Sequence, residues 1–217
     1  PYYRDEFASS AYNLSVGTLD WGYSWTEAND DGSASTGRIM ITGGELRFGR
    51  SSGSTAVGVA ISRTANLSGY TAATLTYSYR EAANEAADAV QVRVRNPPGG
   101  WVTLATITGL SNTGTMTHDI SPYIDADTEI QFYTSAALES GEYIYFDNVN
   151  IALSPGTVPT GPAAGNIYIT GGQLRFVAAP AGASIERGVA LPGSVPVQLT
   201  FDLGQNGIDA NEDRMRL

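Results

Sequence analysis

The chain has 217 residues, 42% of them hydrophobic and 16% charged, enough for one large domain or a domain plus part of another. Its formal charge is −10 and all 12 basic residues are arginine, which excludes nucleic-acid phosphate as a partner and suits a solvated extracellular surface or divalent-cation binding. There is no cysteine, so disulfides and thiolate metal sites are excluded. No run approaches the roughly 20 apolar residues of a membrane span. The chain starts at Pro1 rather than Met and is expected to be a mature product or an excised piece.

In chain order, residues 2–7 predict a first strand. A polar, aromatic segment follows with Trp21, Tyr23 and Trp25, and then the loop Asn29-Asp30-Asp31-Gly32-Ser33. In residues 37–48, Ile39 and Ile41 alternate with Arg38 and Met40, and Leu46 and Phe48 with Glu45 and Arg47. That is strand period, and Gly43-Gly44 between the two runs supplies the positive φ of a tight hairpin turn. Further strands are read at Val57, Val59 and Ile61, at Leu75, Tyr77 and Tyr79, and at Val90, Val92 and Val94. Residues 80–88 read as a short helical turn or an acidic loop. After the turn Asn96-Pro97-Pro98-Gly99-Gly100 come strands at 101–107 and 130–133, a loop at 109–114, a short edge around 118–124, and a closing strand at 143–153. In the closing strand Ile144 and Phe146 share one parity and Val149 and Ile151 the other, so a β-bulge is expected at Asp147-Asn148.

About nine or ten short strands with a turn every 8–12 residues predict an all-β, antiparallel β-sandwich, with jelly-roll topology leading. The words of residues 37–48, G-R-I-M-I-T-G-G-E-L-R-F, return at 165–176 as G-N-I-Y-I-T-G-G-Q-L-R-F, an offset of 165 − 37 = 128. Ile61 and Arg63 match Ile185 and Arg187, and Leu75 matches Leu199, at an offset of 199 − 75 = 124. Such self-similarity marks an internal repeat. The expected organisation is a complete sandwich over 1–153, a Pro/Gly linker over 154–164, and a partial second copy over 165–217.

The series R-D-E-F at 4–7, W-x-x-x-W-T-E-x-N-D-D-G-S at 21–33, the G-G-x-L-R-F hairpin, L-T-Y-S-Y-R at 75–80 and Y-F-D-N-V-N-I at 145–151 resembles the jelly-roll repeats of large secreted bacterial surface proteins. Those are similar in architecture to MAM-like and carbohydrate-binding β-sandwiches. The resemblance covers residues 2–153 well and 165–217 partly. It implies a modular, non-catalytic, extracellular adhesive or structural module at the cell surface. Its partners would be neighbouring copies or adjacent repeats, possible assembly being by β-strand complementation. The alternative it leaves open is a carbohydrate-binding module.

Two kinds of site follow. Calcium takes six to eight hard oxygens. In jelly-roll relatives a structural calcium joins the first strand to the last, which here implies Asp5, Glu6 and Asp147; acidic clusters also stand at Asn29-Asp30-Asp31, 125–129 and 209–213. Sugar rings stack on aromatic faces, and Trp21, Tyr23 and Trp101 are the first candidates, with Trp25 and Tyr143 behind them. Trp25 and Trp101 fit equally as packing residues, and a tyrosine face at Tyr143 and Tyr145 fits cross-strand pairing. The single His118 leaves one possible base and no H-E-x-x-H, so no enzyme is expected.

Overall fold

Apolar residues at every second position bury one face of each strand, and two such faces close on each other. The computed structural model describes residues 1–82, 84–109, 112–155, 167–170 and 173–176. Its strands are β1 (Tyr2–Asp5), β2 (Thr26–Ala28), β3 (Ile39–Thr42), β4 (Glu45–Phe48), β5 (Ala60–Ala65), β6 (Tyr70–Ala82), β7 (Ala89–Arg95), β8 (Val102–Ile107), β9 (Thr113–Asp119), β10 (Thr128–Ala136), β11 (Tyr143–Pro155), β12 (Ile167–Thr170) and β13 (Gln173–Phe176). A short 3-10 turn spans Ser121–Tyr123. Among the described residues no helix is long and apolar enough to cross a membrane.

The fold is the expected antiparallel β-sandwich of jelly-roll type. One sheet runs β3-β4-β11-β6-β9, with β1 added on β11; the other runs β2-β5-β10-β7-β8. β6 follows β11 along its whole length, from Tyr143↔Ala82 to Pro155↔Tyr70. β4 and β1 therefore share the other side of β11, end to end: β4 pairs with Ile144–Phe146 positions and β1 with Val149–Ala152 positions. The expected bulge lies at their junction. The β11–β6 register shifts between Asp147↔Ser78 and Asn150↔Thr76, and Asn148 takes φ 53°.

Several elements are longer or elsewhere than the sequence pattern implied. β6 and β11 each run 13 residues. β9 occupies 113–119, where a loop and a short edge were expected, because its alternate residues are all at least partly exposed and give no apolar signal. Residues 84–88 form a turn rather than a helix.

The core holds the inward residues of both sheets, including Leu75 and Tyr77 of β6, Val90, Val92 and Val94 of β7, Phe132 of β10 and Phe146 of β11. Phe132 and Phe146 meet across the sheets at 4.2 Å between ring centroids, and Tyr77 sets its edge against both. Each such side chain contributes about 1.5–3 kcal/mol on burial.

At one flank of this core lies a charged pair with no access to water. Arg63 on β5 and Asp5 on β1 have side-chain exposures of 1% and 0%, and the Arg63 Nη1 to Asp5 Oδ2 distance is 2.6 Å. Asp5 also accepts from the Phe7 backbone N–H and the Trp25 indole N–H, each at 2.9 Å. Arg63 donates to the carbonyls of Leu14 and Tyr23. Its guanidinium lies 4.6 Å from the Trp21 ring centroid. Burial pushes the guanidinium down to about 10, against the pull of Asp5, so it remains charged at neutral pH. Burial pushes the Asp5 carboxyl upward, opposed by its three donors.

The second-copy hairpin forms its own two-stranded sheet. β12 and β13 pair as Ile167↔Phe176, Tyr168↔Arg175, Ile169↔Leu174 and Thr170↔Gln173. β3 and β4 pair as Ile39↔Phe48, Met40↔Arg47, Ile41↔Leu46 and Thr42↔Glu45. The two registers are the same after subtracting 128, so the sequence repeat is also a repeat of backbone pairing. In the first copy the connecting Gly43 and Gly44 have φ of 63° and 82°, the left-handed pair that this hairpin turn requires. β11 takes in Ser154 and Pro155, the first two residues of the expected 154–164 linker; the rest of that stretch, and the matches at Ile185, Arg187 and Leu199, lie outside the described residues.

Removing one member of the buried pair strands the other. Arg63→Ala and Asp5→Ala are each expected to cost about 3–5 kcal/mol in urea unfolding. The double variant Asp5→Ala/Arg63→Ala should cost clearly less than the two together. Additive losses would show that the two charges do not depend on each other.

Candidate functional site

The outer face of the first sheet is built from the residues that alternate with its core set: Glu45 and Arg47 on β4, Tyr143 and Tyr145 on β11, and Thr76, Ser78 and Arg80 on β6. The tyrosines are neighbours, with ring centroids 6.0 Å apart. Each carries an arginine over its ring, Arg47 at 5.0 Å from the Tyr143 centroid and Arg80 at 3.4 Å from that of Tyr145. Arg80 is held there by Glu45, to which its Nε donates at 2.8 and 3.0 Å.

Further along β11 the bulge changes the surface. It turns Asn148 outward, and Arg4 of β1 donates to the Asn148 side-chain oxygen at 2.8 Å. Around them lies an open depression of about 350 Å³ lined by Arg4, Thr76, Ser78, Thr115, Asn148 and Asn150, among others. These groups supply amide, hydroxyl and guanidinium donors and acceptors in one place. Arg4 also pairs with Glu6 at 2.9 Å. Its Nε has no hydrogen-bond partner among the described residues, and neither has that of Arg47. Beside the depression, burial holds the Asp147 carboxyl above its ordinary value; the Asn148 N–H opposes this, Glu45 and Glu6 add to it, and Arg4 opposes it.

The calcium set expected from the sequence is not assembled as a set. Asp5 lies inside the core at 0% exposure, with its carboxylate on Arg63. Glu6 pairs with Arg4, and Asp147 accepts from the backbone and side chain of Asn148. Three other carboxylates, Glu27, Asp30 and Asp31, do bring oxygens within 4.8 Å of one another. Their oxygens are already occupied within the protein. Glu27 takes the Tyr12 hydroxyl and the Gly32 N–H, Asp30 takes the Arg38 and Ile39 N–H groups, and Asp31 takes the Ser33 N–H and the Thr36 hydroxyl. Gly37, at φ 96°, leaves them room: a Cβ there would stand 2.6 Å from the Asp30 carboxylate.

The aromatic candidates divide. Trp21 is a core residue at 7% exposure, stacked between Tyr3 and Arg63, so the expectation that its face is offered to a sugar is corrected. Trp25 is likewise core. Trp101 lies on the outer face of the second sheet with Arg95 over its ring at 4.3 Å. Tyr23 is exposed on its loop at 65%. None of these joins the depression. Of the residues that do, Asn148 was expected at the bulge, whereas Arg4 and Asn150 carried no signal in the sequence.

His118 lies on β9 with its Nε2 3.1 Å from the buried Tyr77 hydroxyl, and burial lowers its pKa. A G-x-S-x-G string does occur, at Gly49-Arg50-Ser51-Ser52-Gly53. It lies in an exposed bend after β4 and opens no helix, so it lacks the strand-turn-helix context of a nucleophile elbow.

No protein-family description and no curated protein matches the chain. Solved structures with a similar course include a mutant family 29 carbohydrate-binding module complexed with cellulohexaose, 15% identical, covering 71% of this chain and 92% of that one with a TM-score of 0.45. Another mutant of that module, complexed with mannohexaose, is 16% identical over 71% and 92%, with a TM-score of 0.44. A family 4 carbohydrate-binding module is 18% identical over 60% and 94%, with a TM-score of 0.38.

The acidic cluster carries a pH signature. Burial raises the Glu27 carboxyl; the Tyr12 and Gly32 bonds oppose it, and Asp30 and Asp31 add to it. The folded state thus holds the Glu27 proton more tightly than the unfolded chain does. The stability this contributes is present below the ordinary glutamate pKa and is lost as pH rises through the raised one. Glu27→Gln should therefore gain on wild type in melting temperature at neutral pH, and the difference should shrink as pH falls to about 4. A difference that grows on acidification would reverse the assignment.

Proposed function

We propose that residues 1–155 form a non-catalytic, extracellular module that binds a polysaccharide on the outer face of the first sheet. The observation that carries this reading is the bulge-made depression: Arg4, Asn148, Asn150, Ser78, Thr76 and Thr115 converge beside the Tyr143–Tyr145 ladder. Sugar hydroxyls both donate and accept. Side-chain amides and hydroxyls match that double requirement, and an arginine fork spans two acceptors. Pyranose rings also present apolar C–H faces, which suit an aromatic flank.

The adhesive, filament-forming role expected first gives way to this reading, since the feature with binding chemistry is a polar depression with flanking tyrosines. Assembly into arrays stays as a second reading on one observation, the shared register of β3–β4 and β12–β13. Mass by light scattering across a concentration series tests it; a mass that stays monomeric removes it.

Cellulohexaose and mannohexaose, each titrated calorimetrically, are the first probes of the carbohydrate reading. Asn150→Ala and Tyr145→Ala should each weaken binding about tenfold. Trp101→Ala and Tyr23→Ala, on other surfaces, should leave it unchanged. Binding abolished by Trp101→Ala and untouched by Asn150→Ala would move the site to the second sheet, and a glycan array without any hit would remove the function.

A further inference from the structure

Both ends of the sandwich emerge at one pole. β1 runs antiparallel to the end of β11 in the register Tyr2↔Ala152, Tyr3↔Ile151, Arg4↔Asn150, Asp5↔Val149, and the Leu153 N–H donates to the Pro1 carbonyl at 2.9 Å. A load applied between residues 1 and 154 therefore pulls across the strands. It breaks the pairs one after another, starting at the pole, whereas a load from the far pole would strain all of them together.

The order of breakage follows from the register. Tyr2 goes first, with its bonds to Thr18 and Leu19. Tyr3 follows, with its hydroxyl bond to the Asn66 carbonyl. Then comes Arg4, paired with Asn150 and tied by its carbonyl to the Val16 N–H at 3.0 Å. The next residue is Asp5, whose carboxylate is locked to Arg63, Trp25 and Phe7 in the interior. Extracting it would leave the Arg63 charge buried and unpaired, so peeling meets its main resistance there. Arg4 and Asn150, which this sequence separates, both line the depression.

We propose that β1 is a tension-sensitive strap: load between the two ends of the module peels residues 1–4 from β11, draws Tyr3 off Trp21 at the edge of the core, withdraws Arg4 from the polysaccharide site and releases the ligand, while Asp5 and the rest of the core stay in place. This rests on the carbohydrate reading of that face. By linkage, a polysaccharide held jointly by Arg4 and Asn150 fastens the strap, since it binds only the docked state tightly.

The absence of cysteine allows two unique attachment points to be engineered into the full chain. Pro1→Cys with Ser154→Cys loads the module across the strands, and Pro1→Cys with Ala137→Cys loads it from pole to pole. In optical-trap measurements the first pair should open in two steps, the first at a clearly lower force than any opening of the second pair. Equal forces, or one all-or-none step in both geometries, would overturn the strap. Saturating cellulohexaose should raise the first-step force in the Pro1→Cys/Ser154→Cys chain and not in the same chain carrying Arg4→Ala. If the resting chain binds cellulohexaose yet the first-step force does not move, the coupling is wrong and the binding site stands. If a glycan array gives no hit, the carbohydrate reading falls and the gate with it, while the two-step opening is still read without sugar.

Discussion

A buried charge pair at one flank of the core ties the two sheets of the sandwich together. Asp5 comes from the first strand, Arg63 from the other sheet, and the loop between β1 and β2 wraps them with Trp21, Trp25 and the carbonyls of Leu14 and Tyr23. Desolvating two ions costs several kcal/mol each, and their attraction offsets that only if every remaining polar atom is satisfied. Asp5 accepts from the Phe7 N–H and the Trp25 indole, and Arg63 donates through Nε and Nη1 to the Tyr23 and Leu14 carbonyls and lies over the Trp21 ring. The pair therefore contributes specificity more than net stability: a sandwich that fails to bring β1 onto β11 and the tryptophan loop over β5 leaves an ion alone in an apolar medium. One interaction thus sets the position of the first strand, the loop and the second sheet at once.

From that placement follows the architecture of the outer face. β1 and β4 share one side of β11, and the backbone has one bulge where they meet. The bulge lets Ile144 and Phe146 on one side of it, and Val149 and Ile151 on the other, all point into the core despite their odd spacing. It also turns Asn148 outward to Arg4. A packing solution on the inner face has therefore produced a polar depression on the outer one. Local stability and the make-up of the depression are coupled through a single strand, since β1 contributes Asp5 to the core and Arg4 to the depression.

The guanidinium groups show why aromatic content alone is a poor guide to which rings offer an open face. Arg63 covers Trp21, Arg95 covers Trp101, Arg93 covers Tyr133 and Arg80 covers Tyr145. In a chain without lysine, arginine serves as the flat cation that stacks on these rings. A ring so covered offers a ligand its edge or its other face.

The sequence by itself determined the elements whose signal is local. Alternation fixed which faces of β3, β4, β7 and β11 are buried, Gly43-Gly44 marked a hairpin, the broken parity at Asp147-Asn148 marked the bulge, and the 128-residue repeat foretold a second hairpin in the same register. Each depends on neighbours within a few residues or on direct repetition. Only the tertiary structure decided what Asp5, Trp21 and Arg4 do. An acidic residue near the start of a chain reads the same whether it faces water, a metal ion or an arginine 58 positions away, and a tryptophan reads the same in a core as on a surface. The depression likewise draws on residues 4, 76, 78, 115, 148 and 150, brought together by the pairing of β1, β6 and β9 around β11. Period and composition report which side of a strand is apolar; which strands become neighbours is set by non-local burial and by the need to leave no buried charge alone.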